Sequence, residues 1–272
     1  MQKHKVLAVN DLSSVGKCSL GVIIPILSAM KIEVCPVVTT ILSAHTGFDN
    51  PYIVDLTQHL DKMFAHILSE SSGFSFAYSG YLGSNQQMDI VKKYFVQLKQ
   101  SGTKLLVDPV LGDNGKRYSA FDENSIEKMA QLCLNADLIT PNYTEACLLA
   151  EIPYQETEPK KAIRLAEKLS NMLSVPSIVI TGVPMKTGKS IIVWEDGQGI
   201  EIPCDYVKGE YCGTGDAFAS VVCGCLAKGK KLCDSVLEAH RFVRTAIYET
   251  HRLGGSWKDG IMVEEFLNML YE

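Results

Sequence analysis

Short runs of β-branched apolar residues alternate along the chain with longer segments in which apolar positions return every three or four residues. That alternation marks strands joined by helical crossovers, and it predicts an α/β sandwich with a mainly parallel sheet. Strands are expected over Lys5–Val9, Glu33–Val38, Phe74–Tyr78, Lys104–Asp108, Asp137–Thr140 and Ser177–Thr181, and the pair Ser190–Trp194 and Gly199–Pro203 reads as a hairpin. Among the helical segments, Ile126, Met129, Ala130, Cys133 and Leu134 form one apolar stripe, with Asp122 placed to cap its first turn. Ala162, Ala166, Leu169 and Leu173 form another, behind Pro159, whose fixed φ suits the start of a helix. Helices are therefore expected on both faces of the sheet, giving three α/β/α layers.

In open α/β sheets ligands gather at the carboxyl ends of the strands. The segments at those ends are polar here: Asn10-Asp11-Leu12-Ser13-Ser14, Ser79-Gly80-Tyr81, Asp108-Pro109-Val110-Leu111-Gly112-Asp113, Thr140-Pro141-Asn142-Tyr143-Thr144-Glu145 and Thr181-Gly182. Three glycine-bearing stretches compete as an anion cradle. Gly182 to Ser190 approximates a P-loop, but five residues separate its glycines and a strand follows, so a turn opening the hairpin is expected. Asp11 to Cys18 lies between a strand and a helix, yet an aspartate occupies the place of the first glycine and Cys18 that of the magnesium-binding hydroxyl. Gly213-Thr214-Gly215-Asp216 opens an apolar helix, where glycines let backbone N–H groups converge and the helix dipole adds positive potential. A carboxylate in such a place makes sense if the anion is a phosphoryl group in transfer and Asp216 accepts the proton of the attacking hydroxyl. By spacing alone, Asp216 serves equally well as a helix-capping residue.

Composition narrows the class. A length of 272 residues with 46% apolar and 21% charged residues describes one folded domain, 1–272, built on a single core. A formal net charge of −5 gives no electrostatic reason to expect nucleic acid or an acidic membrane as partner. No apolar run approaches the roughly 18 residues that span a bilayer, and Met1 to Lys5 lead directly into a strand with no secretory pattern, so a cytoplasmic, reduced protein is expected. The nine cysteines contain no C-x-x-C pair and sit mostly in apolar runs, where a thiol packs as a small hydrophobe. Cys212 is the exception, because a helix start beside an anion loop is a place where a thiol pKa is lowered. His4, His59, His66, His240 and His251 have no metal-ligand spacing and are expected on solvated surfaces.

Gly213-Thr214-Gly215-Asp216, Asn142-Tyr143-Thr144-Glu145, Asp108-Pro109-Val110-Leu111-Gly112-Asp113 and Ser43-Ala44-His45-Thr46-Gly47, in that relative order and separation, resemble the ribokinase-like superfamily. Within it they look like the pyridoxal and pyridoxamine kinases, over essentially the whole chain. The resemblance implies a ribokinase-like fold without a large lid. It also implies ATP- and Mg²⁺-dependent phosphorylation of the 5′-hydroxymethyl group of pyridoxal, pyridoxamine or pyridoxine, in salvage of pyridoxal phosphate. Asp216 would be the base, with the N–H groups of Gly213, Thr214 and Gly215 stabilising the transferred phosphoryl. Asp108 and Glu145 would hold magnesium, Glu145 together with Asn142, which would also suit a helix cap. Asp113, Thr140, Thr181 and Gly182 would meet the nucleotide. Asp11, Ser13, His45, Thr46, Gly47 and Tyr81 would form the substrate side, Tyr81 offering a flat aromatic wall. Members are usually homodimers, and a monovalent cation, K⁺ or Na⁺, often assists.

The related hydroxymethylpyrimidine kinases of thiamine biosynthesis typically carry a cysteine at the place of Asp216 and a histidine at that of Cys212. This chain departs from them there, while Asp11-Leu12-Ser13-Ser14 is closer to their first loop. Hydroxymethylpyrimidine therefore stands as the alternative substrate. A sugar or nucleoside kinase, and a catalytically silent binding protein on the same fold, are the weaker alternatives.

Overall fold

The structure is a computed structural model that describes residues 4–134, 136–186, 188–205, 207, 209 and 211–271. Along the chain run β1 (Lys5–Ser13), α1 (Leu20–Ala29), β2 (Glu33–Leu42), β3 (Ile53–Asp55), α2 (Thr57–Glu70), β4 (Phe76–Ser79), α3 (Asn85–Gln100), β5 (Lys104–Val107), β6 (Gly112–Asp113) and β7 (Lys116–Arg117). There follow α4 (Glu123–Cys133), β8 (Leu138–Ile139), α5 (Tyr143–Leu149), α6 (Pro159–Leu173), β9 (Ser177–Met185), β10 (Gly188–Glu195), β11 (Gln198–Cys204), α7 (Thr214–Ala227), α8 (Leu232–Arg252) and a 3-10 helix over Val263–Leu270. The class is the expected one: three α/β layers, with helices on both sides of a mainly parallel sheet.

The chain divides into two compact units, Met1–Tyr81 with Val207–Glu272, and Leu82–Tyr206. In the first, the strands run β4-β1-β2-β3, parallel except for the last pair. Val6 to Val9 of β1 are fully buried, as a near-continuous apolar run covered on both faces should be. In the second unit β5, β8 and β9 are parallel, and β9, β10 and β11 form an antiparallel meander.

Local chemistry sets the element ends. Asp122 caps α4 in a reciprocal box with Ser125, and Pro159 occupies the first position of α6. The expected strands all appear, with shifted ends. β1, β2 and β9 shift most, each running four residues past its expected end; β1 continues through Asn10, Asp11, Leu12 and Ser13 because β2 runs alongside to Leu42, with an irregularity between Asn10 and Leu12. Residues expected in a loop are thus carried on a bulged strand. β9 likewise extends to Met185, so Gly182 to Ser190 is a hairpin between β9 and β10 and no helix follows it. The strands β3, β6 and β7 were not foreseen, being two or three residues long and too short to show a period. Asn114-Gly115 at the β6–β7 turn, with φ of 50° and 76°, is nonetheless a strong hairpin signal.

Among the described residues no helix is long and apolar enough to cross a membrane. All nine cysteines are free thiols, and Cys18, Cys133, Cys147, Cys223 and Cys225 are buried, as core packing requires.

Candidate active site

In the first unit the helix α7 starts at Gly213, whose φ of 78° is left-handed and whose Cβ, if present, would lie 1.9 Å from the Lys17 carbonyl. Only glycine fits there. The N–H groups of the first turn have no intrahelical partner, so this end of α7 is a donor-rich site of positive potential. Asp216 stands in that turn. Its Oδ2 accepts the Ser19 N–H at 2.8 Å and its Oδ1 accepts Asn10 Nδ2 at 3.4 Å. Burial is the main reason its carboxyl is pushed up to about 6, and the nearby Asp11 carboxylate adds to the effect. A carboxylate with that pKa is ionised at pH 7 yet takes up a proton readily.

Asp11 lies behind it, 4% exposed, its two oxygens accepting the hydroxyls of Ser19 at 2.5 Å and Ser13 at 3.1 Å. Burial also raises its pKa, against those two bonds. Tyr81 is partly buried, and its phenol is pushed up by burial and by Asp11. These residues gather Asp11, Ser13, Tyr81, Asp216 and the anion loop into one region of the first unit.

His45 is buried in the same unit, with both ring nitrogens engaged. Nε2 lies 2.7 Å from the Lys258 carbonyl, and Nδ1 accepts the Gly47 N–H at 3.0 Å. A carbonyl can only accept and an amide N–H only donate, so these two contacts suit the tautomer that carries a hydrogen on Nε2. Gly16 and Gly47 pack on the ring so closely that a Cβ would come within 2.2 and 2.7 Å of it. His45 is thus a tie between loops, while Thr46 beside it is exposed. The neighbouring carbonyls serve alike: Trp257 O accepts from Cys212 N–H and Asp259 O from Lys17 N–H, both at 3.2 Å.

Cys212 requires a correction. Its thiol is pushed up to about 11, by burial first and then by Asp216 and Asp11, so the helix start does not lower it. Burial, with the two carboxylates added, outweighs the hydrogen bond from the Gly213 backbone that lowers it.

The second unit holds a different cluster. Asp108 directly follows β5 at 7% exposure, and Glu145 stands in the first turn of α5 at 3%. Glu145 Oε2 accepts the Asn142 N–H at 2.8 Å and Oε1 the Leu111 N–H at 3.2 Å, while Asn142 Oδ1 accepts the Glu145 N–H at 3.0 Å. Asn142 is therefore a helix cap, and its Nδ2 also donates to Gly112 O at 2.8 Å. Burial, and then the charge of Asp108, hold the Glu145 carboxyl well above its ordinary value. Thr140 is 4% exposed and its hydroxyl has no partner among the described residues. Asp113 is exposed on the β6–β7 turn, where its Oδ1 accepts the Asn114 N–H. Thr181 and Gly182 lie on β9, with Thr181 bridged to Asn142.

A hard cation suits this donor set. Glu145, buried and carrying a carboxyl that burial and the Asp108 charge hold above its ordinary value, gains from a divalent ion, although each of its oxygens already accepts one N–H. Among the described residues no group of three or more His, Cys, Asp or Glu side chains is placed to hold a metal ion. Asn10, Ser19 and the 257–259 carbonyls were missed from sequence. A polar residue just before the α1 run, and the glycines flanking residues 256–259, were the available signals.

The family model described as phosphomethylpyrimidine kinase matches residues 26–260. A structure of a "putative phosphomethylpyrimidine kinase" from Bacteroides thetaiotaomicron is 34% identical, covers 100% of this chain and 95% of its own, and superimposes with a TM-score of 0.95. A further crystal form, obtained with pyridoxal, gives 0.92. The pyridoxal kinase of Lactobacillus plantarum is 31% identical over 99% of this chain and 97% of its own, with a TM-score of 0.89. Among curated relatives, the pyridoxine kinase of Bacillus subtilis is 29% identical over 170 residues, 61% of this chain and 62% of that protein, so the match spans less than two thirds of its length. The hydroxymethylpyrimidine/phosphomethylpyrimidine kinase of Aquifex aeolicus is 26% identical over 180 residues, 65% and 69% of the two chains.

Proposed function

This chain belongs to the phosphomethylpyrimidine kinase family, and from that premise we propose that it transfers the terminal phosphoryl group of ATP to the 5′-hydroxymethyl group of a B6 vitamer. The observation that carries the reading is the Asp216 carboxylate, set in the first turn of α7 behind Gly213 and held by the Ser19 N–H and Asn10 Nδ2. A base so placed accepts the hydroxyl proton as the oxygen attacks, while the adjacent N–H groups receive the charge of the moving phosphoryl. The reaction is a direct in-line displacement with no covalent enzyme intermediate.

Asp108 and Glu145, with the Thr140 hydroxyl, would hold Mg²⁺. When bound, the ion neutralises phosphate charge and orients the nucleotide. Asn142 keeps Glu145 in place through their capping box, and Asp113, Thr181 and Gly182 belong to the nucleotide side. Asp11 and Ser13 supply polar partners for the substrate ring, Tyr81 its wall, and His45 and Gly47 the shape of the loop that carries Thr46.

Pyridoxal, pyridoxine and pyridoxamine are favoured over hydroxymethylpyrimidine by the pyridoxal-bound form of the Bacteroides relative and by the Lactobacillus and Bacillus kinases. The Aquifex relative and the first loop keep hydroxymethylpyrimidine as the second reading. We further place the protein in pyridoxal phosphate salvage, as one kinase domain over 1–272, cytoplasmic and homodimeric, assisted by K⁺ or Na⁺. The salvage role, the homodimer and the monovalent cation rest on the resemblance, the single domain and the cytoplasmic location on composition and pattern.

The test is ADP release with ATP and Mg²⁺ against pyridoxal, pyridoxamine, pyridoxine, hydroxymethylpyrimidine and ribose, with Asp216→Asn as control. Turnover on B6 vitamers that is lost in the variant is expected. Turnover confined to hydroxymethylpyrimidine would move the protein to the second reading, and turnover confined to ribose would overturn both.

A further inference from the structure

Ser19 is an unusual start for a helix. A serine in that place ordinarily has an extended backbone and gives its hydroxyl oxygen to the first-turn N–H groups. Here it makes no side-chain cap and its φ is 52°, in the region that favours glycine. Its polar atoms are committed elsewhere. The N–H donates to Asp216 Oδ2 at 2.8 Å and the hydroxyl to Asp11 Oδ1 at 2.5 Å, while the carbonyl accepts Val22 and Ile23 N–H at 3.0 Å. Strain held in this way, at a residue 5% exposed, points to a role that the helix itself does not require.

Asn10 approaches the same carboxylate from β1. It is fully buried, and its Oδ1 accepts the Asp11 N–H at 2.9 Å, so the amide can present only Nδ2 to Asp216 Oδ1. Gly80 seals the orientation, since a Cβ there would lie 2.2 Å from Nδ2. We infer that Asn10 and Ser19 are positioning residues for phosphoryl transfer: each holds one oxygen of Asp216, and together they fix the direction in which that carboxylate meets the acceptor's hydroxyl. The inference rests on the proposed role of Asp216 as base.

Other titratable groups face Asp216: Asp11 from β1, Cys18 from the segment before α1, and Cys212 from the turn before α7. Both thiols are pushed up and stay neutral through the working range. The Asp11 charge and burial favour the protonated base, and the two donors oppose them by favouring the ionised form.

The experiment is the pH dependence of kcat/KM for the full chain, whose acid limb reports the free enzyme's base. In Asn10→Ala the limb is expected to move up by about one pH unit, with turnover roughly tenfold lower below the midpoint and recovering as the pH rises through it. Asn10→Ser, which keeps an oxygen for the Asp11 N–H, should shift the limb in the same direction if the alanine variant fails to fold. A uniform loss at every pH with an unmoved midpoint would overturn the inference, because a merely structural defect behaves that way. Asp216→Asn separates the two levels of the argument. Wild-type turnover in that variant would sink the base itself, whereas its loss alongside an unmoved limb in the Asn10 variants would sink the clamp alone.

Discussion

Asp216 and Glu145 occupy the same place in their helices, third in the first turn, α7 in one unit and α5 in the other. Their surroundings differ. Glu145 follows an asparagine cap and closes a reciprocal box with it, so both its oxygens are taken by backbone N–H groups of its own neighbourhood. Asp216 follows a glycine with no side chain to pair with, and its carboxylate faces outward to Asn10 and Ser19. Burial raises both pKa values, but the second cause differs in strength: Asp108 holds Glu145 well above the carboxylate range, whereas Asp11 contributes less to Asp216 than the Ser19 N–H takes away. In the proposed function the Asp216 arrangement serves as a proton acceptor and the Glu145 arrangement as a seat for a cation, one behind a glycine cap and the other behind an asparagine.

The sharpest way to break this contrast is to remove the two charges in turn. Asp216→Asn is expected to lower kcat by about 10²–10⁴, the range of general-base catalysis, with nucleotide affinity within about twofold of wild type by calorimetry. The same variant should be more stable at alkaline pH. A carboxyl raised in the folded state contributes stability that is present below the unfolded value of 3.8 and lost as the pH rises through about 6. The variant escapes that loss, worth at most about 3 kcal/mol, so melting curves of the two proteins should coincide near pH 4 and separate toward pH 8.

Glycines give the next largest effect. Gly213→Ala drives a methyl group into the Lys17 carbonyl and should reduce turnover at least about a hundredfold while destabilising the protein by about 2–4 kcal/mol. Gly182→Ala, at φ 64° with nothing within 4 Å, should cost only about 1 kcal/mol in urea denaturation. Equal losses would remove the distinction between the cradle and the hairpin.

Glu145→Gln should raise the Mg²⁺ concentration needed for half-maximal turnover by about tenfold, leaving the acid limb of Asp216 in place. The raised Glu145 pKa implies that stability falls as the pH climbs above the ordinary carboxylate range, and that Mg²⁺ restores it. Thermal melts should therefore show a larger Mg²⁺-induced rise in Tm at pH 8 than at pH 5, and equal rises would count against the cation seat. The smallest effect belongs to Cys212→Ser. With its thiol at about 11, Cys212 should alkylate slowly at pH 8 by mass spectrometry, and the variant should keep turnover within about threefold.

Much of this was legible in the chain, for identifiable reasons. The strands of the sheet were visible because buried parallel strands are continuous apolar runs, and Asp122 and Pro159 marked helix starts because their roles are local. Gly213 and Asp216 were visible as a motif. The hold of Asn10 and Ser19 on Asp216 was not, because that partner lies about two hundred residues from them in the chain. The Cys212 pKa was misjudged because the helix start is local, whereas the burial that chiefly raises the thiol, and the Asp11 charge that adds to it, come only with the fold. Asn142 had two roles open in the sequence, and the capping box shows that it fills the local one.

The three carbonyls of Trp257, Lys258 and Asp259 have a consequence in time. They tie the loops of Cys212, His45 and Lys17, and His45 meets Lys258 across 213 residues of sequence. Contacts that distant close late in folding, after local helices and neighbouring strands. During synthesis Asp216 leaves the ribosome before the residues that tie these loops. A chain stopped short of Trp257 would bear Asp216 on a helix while leaving Cys212, His45 and Lys17 without their acceptors, so these loops are tied only once residues 257–259 have been made.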